Sequence, residues 1–170
     1  NGVHYTPPDL AMFLAEVTIR HATVRDGPVV ALDPACGDGG LLYALAQAVP
    51  ARVRRHLRLV GYETDPVAAA GAEENLRSAG VDAVDIRRGD FLDDIAGNHA
   101  GIASSPLFAA PGEAVERYDI VISNPPYVRT QVLGADRARR LAATFDLNGR
   151  VDLYHAFIKG ISLALRPGGT

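Results

Sequence analysis

Val29-Val30-Ala31-Leu32-Asp33-Pro34-Ala35-Cys36-Gly37-Asp38-Gly39-Gly40 decides the fold. Its apolar run shows no alternation, which predicts a short strand buried on both faces, as in a parallel sheet covered by helices. Leu42, Leu45, Ala46 and Val49 then recur at helical spacing as far as Pro50. Strand, glycine turn and helix in that order bring a ligand to the carboxyl end of a parallel strand. The glycines narrow what that ligand is. A dinucleotide fingerprint G-x-G-x-x-G fails because its third place is Leu42, and the Gly-Lys pair of a P-loop is missing. Gly37 and Gly39 instead let a compact group lie against the backbone, while Asp33 and Asp38 suit an ammonium nearby. A Gly-x-Gly pair is also found as a plain tight turn, so the rest of the chain has to decide.

Working outward, Leu57 to Glu63 reads as the next strand and ends in an acid 24 residues after Gly39. That is close to the ~20-residue spacing at which an acid takes ribose hydroxyls. Asp65-Pro66 caps and starts a helix over residues 67–79 that stops at Gly80. Val84 and Ile86 mark a third strand, and Asp90-Phe91 follows it. This acid and aromatic suit the amino edge and the face of an adenine ring, although Asp in a turn and Phe in a core are ordinary. Residues 93–117, with Pro106, Pro111 and many small residues, read as a long loop carrying a solvated His99. Upstream, Thr6-Pro7-Pro8-Asp9 predicts a helix over residues 7–24, with a capping hydroxyl and proline in the first turn. Leu10, Phe13, Leu14, Val17 and Val24 would be its buried stripe, with His21 packed on it.

A second short strand with no alternation, Ile120-Val121-Ile122, runs into Ser123-Asn124-Pro125-Pro126-Tyr127. Neither proline can donate to a sheet, and Pro126 forces Pro125 to be extended. The stiff elbow holds up the Asn124 amide, the Pro125 carbonyl and the Tyr127 ring. Two oxygens that accept from an NH2 beside a ring that stacks suit a flat base bearing an amino group. An Asn-Pro-Pro turn with a packed Tyr is the bland alternative. Beyond it, Arg129, Arg137, Arg139, Arg140 and Arg150 face only Asp136 and Asp146. Such a run is either a solvated helix face or a phosphate-contacting one.

The 170 residues make one domain, and 48% apolar with 22% charged content is globular. No long apolar run or basic leader occurs, so neither a membrane span nor a signal peptide is indicated, and a cytoplasmic protein is expected. One cysteine, Cys36, excludes an internal disulfide and a multi-thiolate zinc site, and no metal is expected. A net charge of −3 argues against binding nucleic acid through global electrostatics. From Asn1 at one end and Pro167-Gly168-Gly169-Thr170 at the other, a piece of a larger protein is expected.

Taken together and in this order, the motifs resemble the N6-adenine DNA methyltransferases in which the cofactor motifs precede the catalytic one. The likeness extends over essentially the whole chain. Tyr5-Thr6-Pro7-Pro8 looks like the amino-terminal motif of that class, whose helix closes over the methionine part of the cofactor. Asp33 to Gly39, including Ala35, Cys36 and Gly37, is similar to its S-adenosyl-L-methionine loop. Glu63 with Thr64 matches its ribose ligand, Asp90-Phe91 its adenine ligands, and Asn124-Pro125-Pro126-Tyr127 its catalytic motif. The resemblance implies a Rossmann-like class I α/β fold, a mostly parallel sheet in the order 3-2-1-4 that lacks its carboxyl-terminal strands. It divides the chain into a motif helix (1–27), a cofactor half (28–92), a loop (93–117) and the catalytic motif with its helices (118–170). It also implies double-stranded DNA as partner, with Arg129, Arg137 and Arg140 as phosphate contacts. Gly149-Arg150-Val151-Asp152-Leu153-Tyr154 looks most like restriction-modification methylases, so a fused or associated nuclease and specificity domain are expected. The same Asn-Pro-Pro-Tyr occurs in protein-glutamine and some RNA methyltransferases, and a non-catalytic nucleic-acid-binding domain that keeps the fold is a further alternative.

Overall fold

The computed structural model describes residues 5–23, 27–104, 117–126, 134–147 and 153–170. Strands β1 (Val29–Asp33), β2 (Leu57–Glu63), β3 (Ala83–Arg88) and β4 (Ile120–Val121) form one sheet in the order β3-β2-β1-β4. All pairings are parallel, with Ala31 opposite Leu59 on one side and Ile120 on the other. The sheet thus grows one way from β1, then returns to add β4 on β1's free side. Such a reversal opens a crevice at the carboxyl ends of β1 and β4, the place where open α/β sheets hold ligands.

Helices α1 (Pro8–His21), α2 (Gly40–Ala48), α3 (Ala51–Arg54), α4 (Pro66–Arg77), α5 (Phe91–Ser104), α6 (Ala135–Phe145) and α7 (Leu153–Ala164) accompany the sheet. Ala31 and Leu59 belong to one apolar layer with Ala11, Leu42, Leu45 and Leu76. Their neighbours Leu32 and Val60 belong to the other, with Phe91, Leu92, Tyr118 and Phe157. Successive strand residues point to opposite faces, and both faces are apolar here, hence the unbroken runs in the sequence.

Two carboxylates hold the frame at points the hydrophobic pattern cannot specify. Asp65 caps α4, its side chain accepting from Val67 N at 2.7 Å and Ala68 N at 3.3 Å. Asp119 fastens the start of β4 to β1: its carboxylate accepts from Val30 N at 2.7 Å and pairs with Arg166 at 2.6 Å. The outer side of β4 is engaged as well, since Thr170 N donates to Asp119 O at 2.9 Å and Val121 N to Thr170 O at 2.8 Å.

Three expectations are corrected. On α1 the buried residues are Ala11 and Ala15, whereas Leu10 and Phe13 are 47% and 60% exposed. The small side chains let α1 lie close on α2, which leaves Leu14 and Val17 of the stripe half-buried, turns Leu10 and Phe13 outward and leaves His21 exposed, while Val24 lies outside the described residues. Pro7, not Thr6, is the cap residue of α1, and no side chain caps it. The stretch read as a loop from 93 is helical to Ser104, because Asp90 accepts from Leu92 N at 2.9 Å and Phe91, Leu92 and Ile95 are buried. Residues 105–116 lie outside the described residues.

Gly61 shows how tightly the loop after β1 sits on the sheet. A Cβ there would lie 2.7 Å from Cys36 Sγ and 2.9 Å from Ile86 Cδ1. Gly61→Ala is expected to cost about 1–3 kcal/mol through overpacking, measured as a lower urea midpoint at unchanged m-value.

Candidate active site

One pocket collects residues from three distant parts of the chain: Tyr5 and Thr6 ahead of α1, Asp33 at the end of β1 with Ala35, Cys36, Gly37 and Asp38 of the loop after it, and Asn124 after β4. The parallel pairing of β1 and β4 makes this possible, since both strands end on the same side.

Asp33 closes β1 and is 1% exposed, its Oδ1 accepting from Ala35 N at 3.0 Å. Burial pushes its carboxyl up from the ordinary 3.8 to about 7, against the opposing effect of the Ala35 N–H. The Ser123 hydroxyl lies near enough to favour the ionised form, yet completes no hydrogen bond of its own among the described residues. A buried acid poised this way is stabilised as a carboxylate by a cation entering the pocket.

Glu63, at the end of β2, braces the loop. Its Oε2 accepts from Gly37 N at 3.0 Å, and its Oε1 accepts from Asp65 N at 2.7 Å and from the Thr64 hydroxyl at 3.3 Å. Gly37 has φ +55°, and a Cβ on it would stand 3.2 Å from the Tyr5 ring. The ring therefore lies against bare backbone, and a side chain at Gly37 would both strain its positive φ and crowd the ring. Gly39, with φ +81°, looks elsewhere: a Cβ there would meet Ala72 Cα at 3.3 Å. The missing side chain on that side lets α2 pack on α4. Cys36 is buried with its thiol against Gly61, and burial pushes that thiol well up, so it has no nucleophilic character. Ala35 is half-buried, Pro7 and Thr64 are exposed.

Asn124 is exposed at the pocket, and its Nδ2 donates to Thr6 Oγ1 at 3.3 Å. Pro125 and Pro126 follow in irregular backbone, while Tyr127 and Arg129 lie outside the described residues. Asp90 starts α5 at the same edge of the sheet, where Gly89 N donates to Glu63 O at 3.0 Å. Phe91 corrects the expectation of a ring on the ligand's face: it is 1% exposed, edge-on to Tyr62 and stacked on Phe157. An apolar ring opening a helix that lies on the sheet is more stable in the core than at the rim. Arg137 corrects another, because its guanidinium hydrogen-bonds Asp90 and sits 3.6 Å from Asp93 instead of lying open to phosphates. Arg140 is exposed.

Sequence reasoning missed the contact between Thr6 and Asn124, which are 118 residues apart and carry no pairing signal. It also missed Asn75, whose Nδ2 donates to Asp38 O at 2.9 Å and supports the loop from α4.

Residues 1–170 match the family described as N-6 DNA Methylase. The chain is 42% identical over 99% of its length to the type II methyltransferase M.BanIII of Aneurinibacillus aneurinilyticus, of which it covers 29%. Among solved structures, a class I S-adenosylmethionine-dependent methyltransferase described as putative, from Listeria monocytogenes, aligns with a TM-score of 0.67 at 19% identity, over 99% of this chain and 46% of that one. The type IIG restriction endonuclease BpuSI aligns with a TM-score of 0.69 at 16% identity, over 99% of this chain and 19% of that one. The fold is thus the Rossmann-like class I methyltransferase fold, and the chain spans less than half the length of each of these relatives.

Proposed function

This chain belongs to the N-6 DNA methylase family, and from that premise we propose that the whole protein methylates the exocyclic N6 of an adenine turned out of duplex DNA. The donor is S-adenosyl-L-methionine, and the setting is a restriction-modification system in the cytoplasm, with a specificity domain and a nuclease fused or associated. Among the described residues no helix is long and apolar enough to cross a membrane. One observation carries the reading: the loop after β1 and Asn124 after β4 open on a single pocket.

The residues present fit the cofactor. Asp33 offers a buried carboxyl to its ammonium, Glu63 a carboxylate to its ribose, and the Tyr5 ring beside bare Gly37 an apolar wall. When bound, the cofactor supplies an electrophilic sulfonium methyl group. The protein's own part is to prepare the nucleophile. An adenine amino nitrogen is poor in this role because its lone pair is delocalised into the ring. Asn124 Oδ1 and the Pro125 carbonyl accept its two hydrogens and favour a tetrahedral nitrogen. Positive charge grows on that nitrogen as the new bond forms, so both acceptors bind more strongly in the transition state than before it. The Tyr127 ring stacks on the base and offsets part of the few kcal/mol that unstacking costs. No strong base is required. The exposed Arg140, together with Arg129 from the sequence, is assigned to phosphates, which position the duplex without reading it.

Tritiated S-adenosyl-L-methionine, offered with the full-length protein to duplex DNA, RNA and a release-factor protein in parallel, tests the reading. Label is expected in DNA and, after digestion to nucleosides, in N6-methyladenosine's deoxy form. Label on RNA or on a glutamine amide, with none on DNA, overturns it.

A further inference from the structure

Thr6 stands where a hydroxyl ordinarily caps a helix, yet α1 starts at Pro8 with Pro7 as its cap residue and no side chain capping it. Instead Thr6 Oγ1 receives the Nδ2 of Asn124 at 3.3 Å, and both residues face the pocket that holds Asp33 and Gly37. A carboxamide is nearly symmetric in shape but not in chemistry: half a turn exchanges an acceptor for two donors. The prolines after Asn124 fix its backbone and leave that half-turn undecided. Turned the wrong way, the amide would present hydrogens to a substrate amino group that has only hydrogens to offer. Something must therefore hold the nitrogen end away from the substrate.

We propose that Thr6 is a positioning residue whose hydroxyl holds the Asn124 nitrogen and so keeps Oδ1 turned toward the substrate's amino group. This rests on the proposed function only in requiring a substrate with an NH2, since adenine and a glutamine amide pose the same demand. It gives the segment before α1 a part in the chemistry as well as in covering the pocket. The wall of the pocket and a correctly turned amide then come from adjacent residues of one segment, Tyr5 for the first and Thr6 for the second.

The test uses the full-length protein with Thr6→Val, which keeps the shape and removes the hydroxyl, and Thr6→Ser, which restores it. Turnover at saturating cofactor is expected to fall about 10- to 100-fold in Thr6→Val, the range a misplaced catalytic group costs, with cofactor Kd held within about threefold. Thr6→Ser is expected to recover most of it. An activity-free reading comes from 15N spectra: the Asn124 side-chain amide signals, assigned by their loss in Asn124→Asp, are expected to move in Thr6→Val. Unchanged turnover with unmoved signals overturns the proposal. So does a loss confined to cofactor affinity and abolished at saturation, which would make Thr6 a cofactor contact. Label appearing on protein or RNA instead of DNA removes the substrate reading alone, and the ratio of Thr6→Val to Thr6→Ser on that substrate still decides the role of Thr6.

Discussion

Asn124→Ala in the full-length protein is expected to reduce methyl transfer by about 100- to 1000-fold, the cost of removing one preorganised group that meets charge developing in a transition state. Cofactor affinity is expected to stay nearly constant, because Asp33 is held by the Ala35 N–H and Glu63 by the N–H groups of Gly37 and Asp65, and none of them by Asn124. Stability should hardly change either, since Asn124 is exposed and its one bond among the described residues, at 3.3 Å, is long. Single-turnover rates and equilibrium binding measured side by side separate the two effects. Normal turnover in this variant would refute the role given to the amide.

The second large effect belongs to Asp33 and has two signs. Its carboxyl titrates near 7 in the folded protein because burial penalises the charge, against 3.8 when exposed. A folded-state value raised above the unfolded one means that the stability is fully present below about pH 4 and is lost as pH rises toward 7, after which it stays flat. The loss is a few kcal/mol, each pKa unit being worth about 1.4 kcal/mol. Asp33→Asn copies the neutral acid, so it is expected to raise the unfolding midpoint of the cofactor-free protein at pH 8 and to flatten the fall between pH 4 and 7. Binding moves oppositely. Under the proposed function the carboxylate that destabilises the empty fold is also the partner of the cofactor's ammonium, so Asp33→Asn is expected to weaken S-adenosyl-L-methionine by about 10- to 100-fold, the worth of a charged hydrogen bond. Titration of the cofactor's own amine is common to both proteins and cancels in the comparison. A variant that gained stability without losing affinity would show the acid to be a core residue and nothing more.

Much of this architecture was legible because it rests on local chemistry. The apolar runs at 29–32 and 120–122 could be buried only on both faces, and Asp65-Pro66 carried its own start signal, which the Asp65 cap bears out. The order β3-β2-β1-β4 came from family resemblance, since no residue in a parallel strand names its neighbour. Errors came where tertiary packing outweighed pattern. Apolar spacing on α1 favoured Leu10 and Phe13, but close helix contact selected Ala11 and Ala15. Phe91 beside Asp90 looked like a pair of ligands, yet a helix starting between them sent the acid to the rim and the ring inward. Arg137 was judged by its basic neighbours in sequence, and its partners Asp90 and Asp93 come from the start of another helix and the residue before it. Thr6 was legible as a hydroxyl before a helix. What it holds was not.

The staple between Asp119 and Val30 joins residues 89 positions apart. Closing so long a loop is slow relative to pairing β1 with β2, so a nascent chain leaving the ribosome has β1 with one side bare until β4 emerges. An unpaired parallel edge bearing Val30 and Leu32 invites other chains. The same two-residue strand that delivers the asparagine elbow therefore also covers the open edge of β1, so pairing and catalysis draw on one late-made segment.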